Sequence, residues 1–310
     1  MKICFVGLGS IAARHIRGIK ELFGASARID VLRSGNGKMP EQRIAAMIHK
    51  TYYSLETLPR DYDVIFITNP TALHYCTLEK MHNRGRNFFI EKPVFQTGKE
   101  DLGGLRLQKD RVYYVACPLR YTNVIQYLKQ TTDFSEIYSV RSISSSYLPD
   151  WRPEVDYRKT YSADASLGGG VSIDLIHEWD YLCYLLGEPE KVYSIIGKKS
   201  ALEVHSDDIA VYIAEYRDKV AELHLDYFGR FPIRRLQLFG KSETLEADLL
   251  GESISFTKEG KVLYLKEGRD AYQKKELQHF FAIVQGKAEN DSTLQNACRV
   301  LRIARGEMGE

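Results

Sequence analysis

In the first third of the chain the apolar positions come in short unbroken runs, and each run ends in a turn. Ile3-Cys4-Phe5-Val6 and residues 28–32, 63–68, 87–90 and 112–116 leave little room for apolar–polar alternation. That pattern predicts parallel strands buried on both faces. Between them the spacing predicts helices over 13–22, 39–50 and 71–84, the last with Thr71 as its N-cap. Strand and helix alternate, as in a doubly wound α/β sheet. After residue 121 the pattern changes. Strand-like segments over 138–147, 192–197, 209–216, 221–227, 235–239 and 253–257 crowd together, and helices are predicted over 272–285 and 294–305. Runs of strands after an alternating half predict a separate α+β layer.

The first strand breaks at Gly7-Leu8-Gly9-Ser10-Ile11-Ala12, a G-x-G-x-x-A turn that opens a helix. Strand, glycine turn and helix form the start of a dinucleotide-binding βαβ unit. Gly7 allows the tight turn, Gly9 lets the backbone approach a pyrophosphate, and Ala12 lets the helix lie close to the strand. The helix start at Ser10 and Ile11 offers N–H groups and a positive dipole end to phosphates. A tight turn in an ordinary α/β protein reads the same way in isolation; the strand before it favours the nucleotide.

The second strand ends at Arg33-Ser34, where a dinucleotide fold meets the adenosine ribose. An acidic residue there favours NAD. A guanidinium and a hydroxyl, with Lys38 nearby, suit the 2′-phosphate of NADP, which is therefore the favoured cofactor over NAD. Asp30 competes for the ribose if the strand stops early.

Composition narrows the class without naming a chemistry. The 310 residues suffice for two domains, and the net charge of +2 gives no argument for nucleic acid or an anionic membrane. No apolar run is long enough for a membrane span, and the first strand starts at Met1, leaving no room for a signal peptide. Five scattered cysteines among apolar neighbours show no C-x-x-C and no metal spacing. A cytoplasmic protein with no metal is expected.

Two stretches carry polar residues that packing explains poorly. The strand over 87–90 runs into Glu91-Lys92-Pro93, which places a lysine at the carboxyl edge of the sheet. A desolvated lysine there can bond a reacting oxygen and act as acid or base. The strand over 63–68 ends in Thr68-Asn69-Pro70, with His74 in the helical turn beyond.

The glycine turn, the Thr-Asn-Pro…His segment over 68–74, Glu91-Lys92-Pro93 and Leu119-Arg120-Tyr121 stand in the order and spacing of one family. In these motifs, and over essentially the whole chain, the sequence resembles the glucose-fructose oxidoreductase / inositol dehydrogenase / MocA family. The resemblance implies a Rossmann domain over 1–119, followed over 120–310 by an α+β domain with a large open, mostly antiparallel sheet. The last helix is a candidate to pack back on the first domain. It also implies NAD(P)-linked redox chemistry on sugars, nucleotide sugars or polyols, and a homodimer or homotetramer. Thr68, Asn69, Pro70, His74, Glu91, Lys92 and Arg120 would line the cofactor, and Tyr121 the substrate.

The other dense stretch is Gly168-Gly169-Gly170 followed by Asp174, His177, Glu178 and Asp180 at helical spacing. Aspartate near histidine fixes an imidazole tautomer and raises its basicity. The resemblance implies that the helix's Asp and His point at the nicotinamide and that the His acts with Lys92 in proton transfer. The family spacing is D-x-x-x-H, whereas here Asp174 and His177 are three apart and Glu178 holds the fourth position. One residue turns a regular helix by roughly 100°. Either the helix is locally adjusted, or His177 is displaced and Glu178 takes a role. His177 is assigned the proton transfer, and Asp174 its orientation or a substrate contact.

Trp151, Arg152, Arg158 and Tyr161 lie in a Pro-containing segment ahead of this helix and suit a sugar ring carrying an anionic group. A solvated loop is the plainer reading. Two rival functions share the glycine turn: a glycoside hydrolase that keeps its NAD and cleaves through transient oxidation, and a non-catalytic dinucleotide sensor. The sensor leaves Lys92 and the Asp174–His177 helix unexplained.

Overall fold

A computed structural model describes residues 1–35 and 39–307. They form two compact units: Met1–Cys117 with Gln273–Cys298, and Pro118–Tyr272 with the chain from Arg299 onward.

In the first unit the unbroken apolar runs become strands whose side chains are almost wholly buried. β1 (Lys2–Val6), β2 (Arg28–Leu32), β3 (Lys50–Tyr52), β4 (Tyr62–Ile67), β5 (Gly85–Ile90) and β6 (Tyr113–Val115) form one parallel sheet in the order β3-β2-β1-β4-β5-β6. The order reverses at β1, so the carboxyl ends of β1 and β4 flank the switch point where such sheets take ligands. Helices α1 (Ser10–Phe23), α2 (Gln42–Ala45) and α3 (His74–Met81) supply connections. Phe5, Phe66 and Phe89 occupy one register on three neighbouring strands, with ring centroids 4.6 and 4.8 Å apart. Phe280, from the helix Ala271–Val284, meets Phe89 edge-on at 5.2 Å and is fully buried. Truncating such a ring to alanine costs about 3–5 kcal/mol.

The helix expected over 39–50 is largely absent. Only α2 forms, with Ile44 its single buried residue, and the His49 N–H donates to the carbonyl of Ile29 at 2.7 Å. One buried side chain does not offset the cost of nucleating a helix, so the chain pairs along β2 instead.

The second unit begins with α4 (Asn123–Thr131) and is built on an eight-stranded sheet. Its strands are β7 (Ile137–Tyr147), β8 (Lys191–Gly197), β9 (Ile209–Glu215), β10 (Val220–Asp226), β11 (Phe228–Gly240), β12 (Thr244–Asp248), β13 (Ser253–Phe256) and β14 (Lys261–Tyr264). They run in the order β14-β13-β12-β11-β7-β10-β9-β8, antiparallel throughout except for the β7–β10 pair. Between β7 and β8 lie α5 (Val171–Asp174) and α6 (His177–Leu186). α6 buries Trp179 edge-on against Tyr212 of β9, at 5.2 Å, and Tyr181 shares a 2.8 Å hydrogen bond with Ser142 of β7. The chain closes with α7 (Ala271–Val284) and α8 (Leu294–Ala304). Among the described residues no helix is long and apolar enough to cross a membrane. No group of three or more His, Cys, Asp or Glu among them is placed to hold a metal ion.

Candidate active site

The glycine turn follows β1 and is fixed from two sides. Gly7 has φ +93°, and a Cβ on it would stand 2.7 Å from the Asn69 nitrogen, so only glycine fits. Thr68 holds that approach: its N–H donates to the carbonyl of Val6, and its hydroxyl bonds the carbonyls of Val6 and Gly7 at 3.1 and 3.0 Å. At Gly9 a Cβ would meet nothing within 4 Å, leaving an open cradle beside the start of α1. That helix starts with no side-chain cap at Gly9 and no acidic residue in its first turn. Ser10 is exposed and Ile11 half-buried there. The donors and dipole end of α1 thus fit a pyrophosphate.

At the end of β2, Asp30 is fully buried and accepts the Tyr62 hydroxyl at 3.0 Å, so it points into the sheet. The competing ribose reading for Asp30 is thereby corrected. Arg33 follows the strand, with Nη1 3.5 Å from the sulfur of Met39, and Ser34 beside it is exposed. Lys38 lies outside the described residues.

Asn69 and His74 turn out to brace the backbone. The Asn69 amide donates to the Thr77 hydroxyl at 2.8 Å. His74 is buried, with Nε2 2.9 Å from the Asn69 carbonyl and Nδ1 3.1 Å from that of Val94. It ties the Thr68-Asn69-Pro70 turn to the loop after Lys92. Burial holds its titration below the usual histidine value, although those carbonyls favour the charged form.

Glu91 and Lys92 end β5, and the Lys92–Pro93 peptide is cis. Glu91 is the more deeply set. His15, one turn into α1, donates from Nε2 to its carboxylate at 2.5 Å, and the Lys92 N–H reaches the other oxygen at 3.2 Å. Burial would raise the Glu91 carboxyl. The hydrogen bond and charge of His15, with the Lys92 ammonium, outweigh it and hold the group below its ordinary value. Sequence reasoning missed His15. Its signal was a polar residue in the buried stripe Ala12, His15, Ile16, Ile19. A cavity lined by Met1, Asp63, Arg86, Asn87 and Arg111 opens at the opposite, amino edge of the sheet, the wrong end for a ligand of this fold.

In the second unit the expected single helix after the glycines is broken. α5 ends at Asp174, Leu175 turns out of helical geometry (φ −96°, ψ 27°), and α6 starts at His177. Asp207 caps the start of α5: its carboxylate accepts the Ser172 N–H at 2.8 Å and its carbonyl that of Val171. Two of the glycines make room for protein: a Cβ on Gly169 would lie 1.8 Å from the Tyr161 carbonyl oxygen, and one on Gly170 2.1 Å from the Asp207 carboxylate. Burial, then the charge of Asp174, raise the Asp207 carboxyl.

The break settles which polar residues are already committed. Glu178 is fully buried and accepts Arg234 Nε at 2.7 Å. Asp180 takes Arg120 in a two-pronged pair, 2.8 and 2.6 Å, with the guanidinium over the Tyr184 ring. Arg120, expected at the cofactor, thus joins α6 to the segment before α4, and Tyr121 next to it is buried. Arg158 bonds Asp156 at 2.8 and 3.1 Å and Glu203 at 3.3 Å on the surface.

Asp174, His177, Tyr161, Trp151 and Arg152 are the other candidates in this unit. Asp174 accepts the Tyr227 hydroxyl at 2.5 Å, and the Tyr161 phenol lies near it. Trp151 packs edge-on against Tyr227 at 5.3 Å, its indole N–H on Ser146. Arg152 is exposed and adds its charge beside Tyr161. His177 is half-buried at the first turn of α6.

A doubly wound parallel sheet opened by a glycine turn, followed by a largely antiparallel sheet, is a fold shared with NAD-binding oxidoreductases. Residues 1–102 match the oxidoreductase family with an NAD-binding Rossmann fold, and residues 125–246 match the GFO/IDH/MocA C-terminal domain. The chain belongs to the Gfo/Idh/MocA family of oxidoreductases. It is 23% identical over 258 residues to the UDP-N-acetylglucosamine 3-dehydrogenase of Acidithiobacillus ferrooxidans, covering 82% of this chain and 76% of that one. Levoglucosan dehydrogenase in complex with NADH shares the fold with TM-score 0.82 at 18% identity, over 98% of this chain and 95% of that one. The WlbA dehydrogenase of Bordetella pertussis, in complex with NADH and UDP-GlcNAcA, does so with TM-score 0.77 at 16% identity, over 97% and 93%.

Proposed function

We propose that this chain is an NADP-preferring dehydrogenase that acts on a hydroxyl or carbonyl carbon of a sugar, nucleotide sugar or polyol. The observation that carries the reading is Lys92, placed at the carboxyl end of β5 and anchored through Glu91 to His15 on the helix that starts at the phosphate cradle. The nicotinamide, when bound, accepts or supplies the hydride. Lys92 holds the reacting oxygen and takes its proton as the carbonyl forms, or returns it in reduction. His177 passes that proton onward, and Asp174 accepts a hydrogen bond from a neighbouring substrate hydroxyl. Trp151, Arg152 and Tyr161 face the substrate, and Gly7, Gly9, Ser10, Ile11, Thr68, Asn69 and Pro70 shape the cofactor cradle. Arg33 and Ser34 support the NADP preference, since a guanidinium and a hydroxyl at this point suit a 2′-phosphate. The named substrates of the relatives, UDP-N-acetylglucosamine and levoglucosan, support the sugar class. Exposed Tyr193 and Ile195 on β8, beside Ile213 on β9, support self-association through the open sheet face. Light scattering on the purified protein tests that point.

The test of function is nicotinamide absorbance with NADP+ or NAD+ and a panel of sugars, nucleotide sugars and polyols. Turnover of any member, faster with NADP+, is the expected result. Tight cofactor binding without net redox change, together with cleavage of a glycoside, would instead identify a hydrolase. Binding with neither reaction would identify a sensor.

A further inference from the structure

Tyr227 lies between β10 and β11 and is fully buried. Two segments of the second unit converge on it. Its hydroxyl donates to Asp174 at 2.5 Å, at the end of α5. Its ring meets Trp151 edge-on, with centroids 5.3 Å apart and planes at 89°. Its carbonyl accepts the Leu148 N–H at 2.9 Å, at the start of the turn that carries Trp151. A carboxylate on two rotatable bonds is fixed only when its oxygens have set donors, and an indole only when its ring has a wall. Here a single side chain supplies a donor to one and a wall to the other.

We propose that Tyr227 is a positioning residue, fixing the Asp174 carboxylate and the Trp151 indole relative to each other without touching substrate. The inference rests on the reading that Asp174 and Trp151 face substrate. The groups around Asp174 support the arrangement. Tyr161 is a second phenol near the same carboxylate, Asp207 faces it as a like charge, and Arg152 lies beside Tyr161. Burial, and after it the charge of Asp174, raise the Tyr227 phenol far above the ordinary tyrosine value, so it remains a protonated donor.

Tyr227→Phe keeps the ring against Trp151 and removes only the donor. With UDP-N-acetylglucosamine, D-xylose and levoglucosan as probes, kcat is expected to fall about tenfold with KM and cofactor affinity within twofold. In an Asp174→Ala background the same change is expected to cost nothing further. Unchanged kcat in Tyr227→Phe, or losses that multiply in the double variant, would overturn the inference. A urea-unfolding cycle of the same four proteins adds a readout independent of turnover. Coupling of about fivefold in the unfolding constant is expected, and its absence overturns the inference whatever the activity. Coupling together with a wild type that turns over no probe keeps the phenol–carboxylate link and overturns the reading of the site that it serves.

Discussion

Nε of Arg234 stands 2.7 Å from Oε1 of Glu178, and the glutamate is wholly shielded from water. The acid directly after His177 is therefore the anion of an internal ion pair between α6 and β11. Removing one partner of such a pair costs about 3–5 kcal/mol, whereas replacing both by apolar groups is often neutral. Arg234→Leu is expected to lower unfolding stability by about that amount, and Glu178→Leu/Arg234→Leu to recover most of it. Urea unfolding checks this; a double variant worse than either single one would remove the pair from the account.

Lys92→Met keeps the length of the side chain and deletes its proton-carrying end. Turnover is expected to fall by about 10²-fold or more, with NADPH and NADH binding, read by fluorescence, nearly unchanged. Full turnover in this variant would end the proton-transfer role.

Arg33→Ala separates the two nucleotides. A hydrogen bond to a charged partner is worth about 1.5–3 kcal/mol, so NADPH affinity is expected to drop at least tenfold and NADH affinity less than twofold. Equal losses for both would refute a contact with the 2′-phosphate.

Burial holds the imidazole of His74 below the ordinary histidine value of 6.5. The unfolded chain therefore takes up this proton first as pH falls, so the stability contributed by the neutral ring is complete above about pH 6.5 and is lost as pH drops through the folded value. Glu91 is also lowered, from 4.5, so its share is lost only below that pH. In His74→Asn the decline of Tm just below pH 6.5 should flatten, while the decline below pH 4.5 persists. A wild-type slope that survives in the variant would assign it to another group.

The parts of the fold that read clearly from sequence were those with one dominant force. β1, β2, β4 and β5 are apolar on both faces, and no helix period competes with them. β12 and β14 went unseen because short strands near a sheet edge bury few residues and carry no regular pattern. The site divides the same way. The glycine turn and Glu91-Lys92-Pro93 are local, so their residues name themselves. Tyr227 with Asp174, Arg234 with Glu178 and Arg120 with Asp180 are 53 to 60 residues apart, and no spacing rule links them.

β7 and β10 run side by side in the same direction, and parallel neighbours cannot be joined by a hairpin. The polypeptide must leave the sheet after Tyr147 and return to it, and Trp151, Arg152, Tyr161, Asp174 and His177 all lie on that excursion, before β8 begins. The sheet strands and these candidate site residues are thus written in separable stretches of the gene. Lengthening or recomposing the excursion can change what is recognised while the strand register stays intact, which gives evolution, or an engineer, a replaceable cassette on a fixed frame.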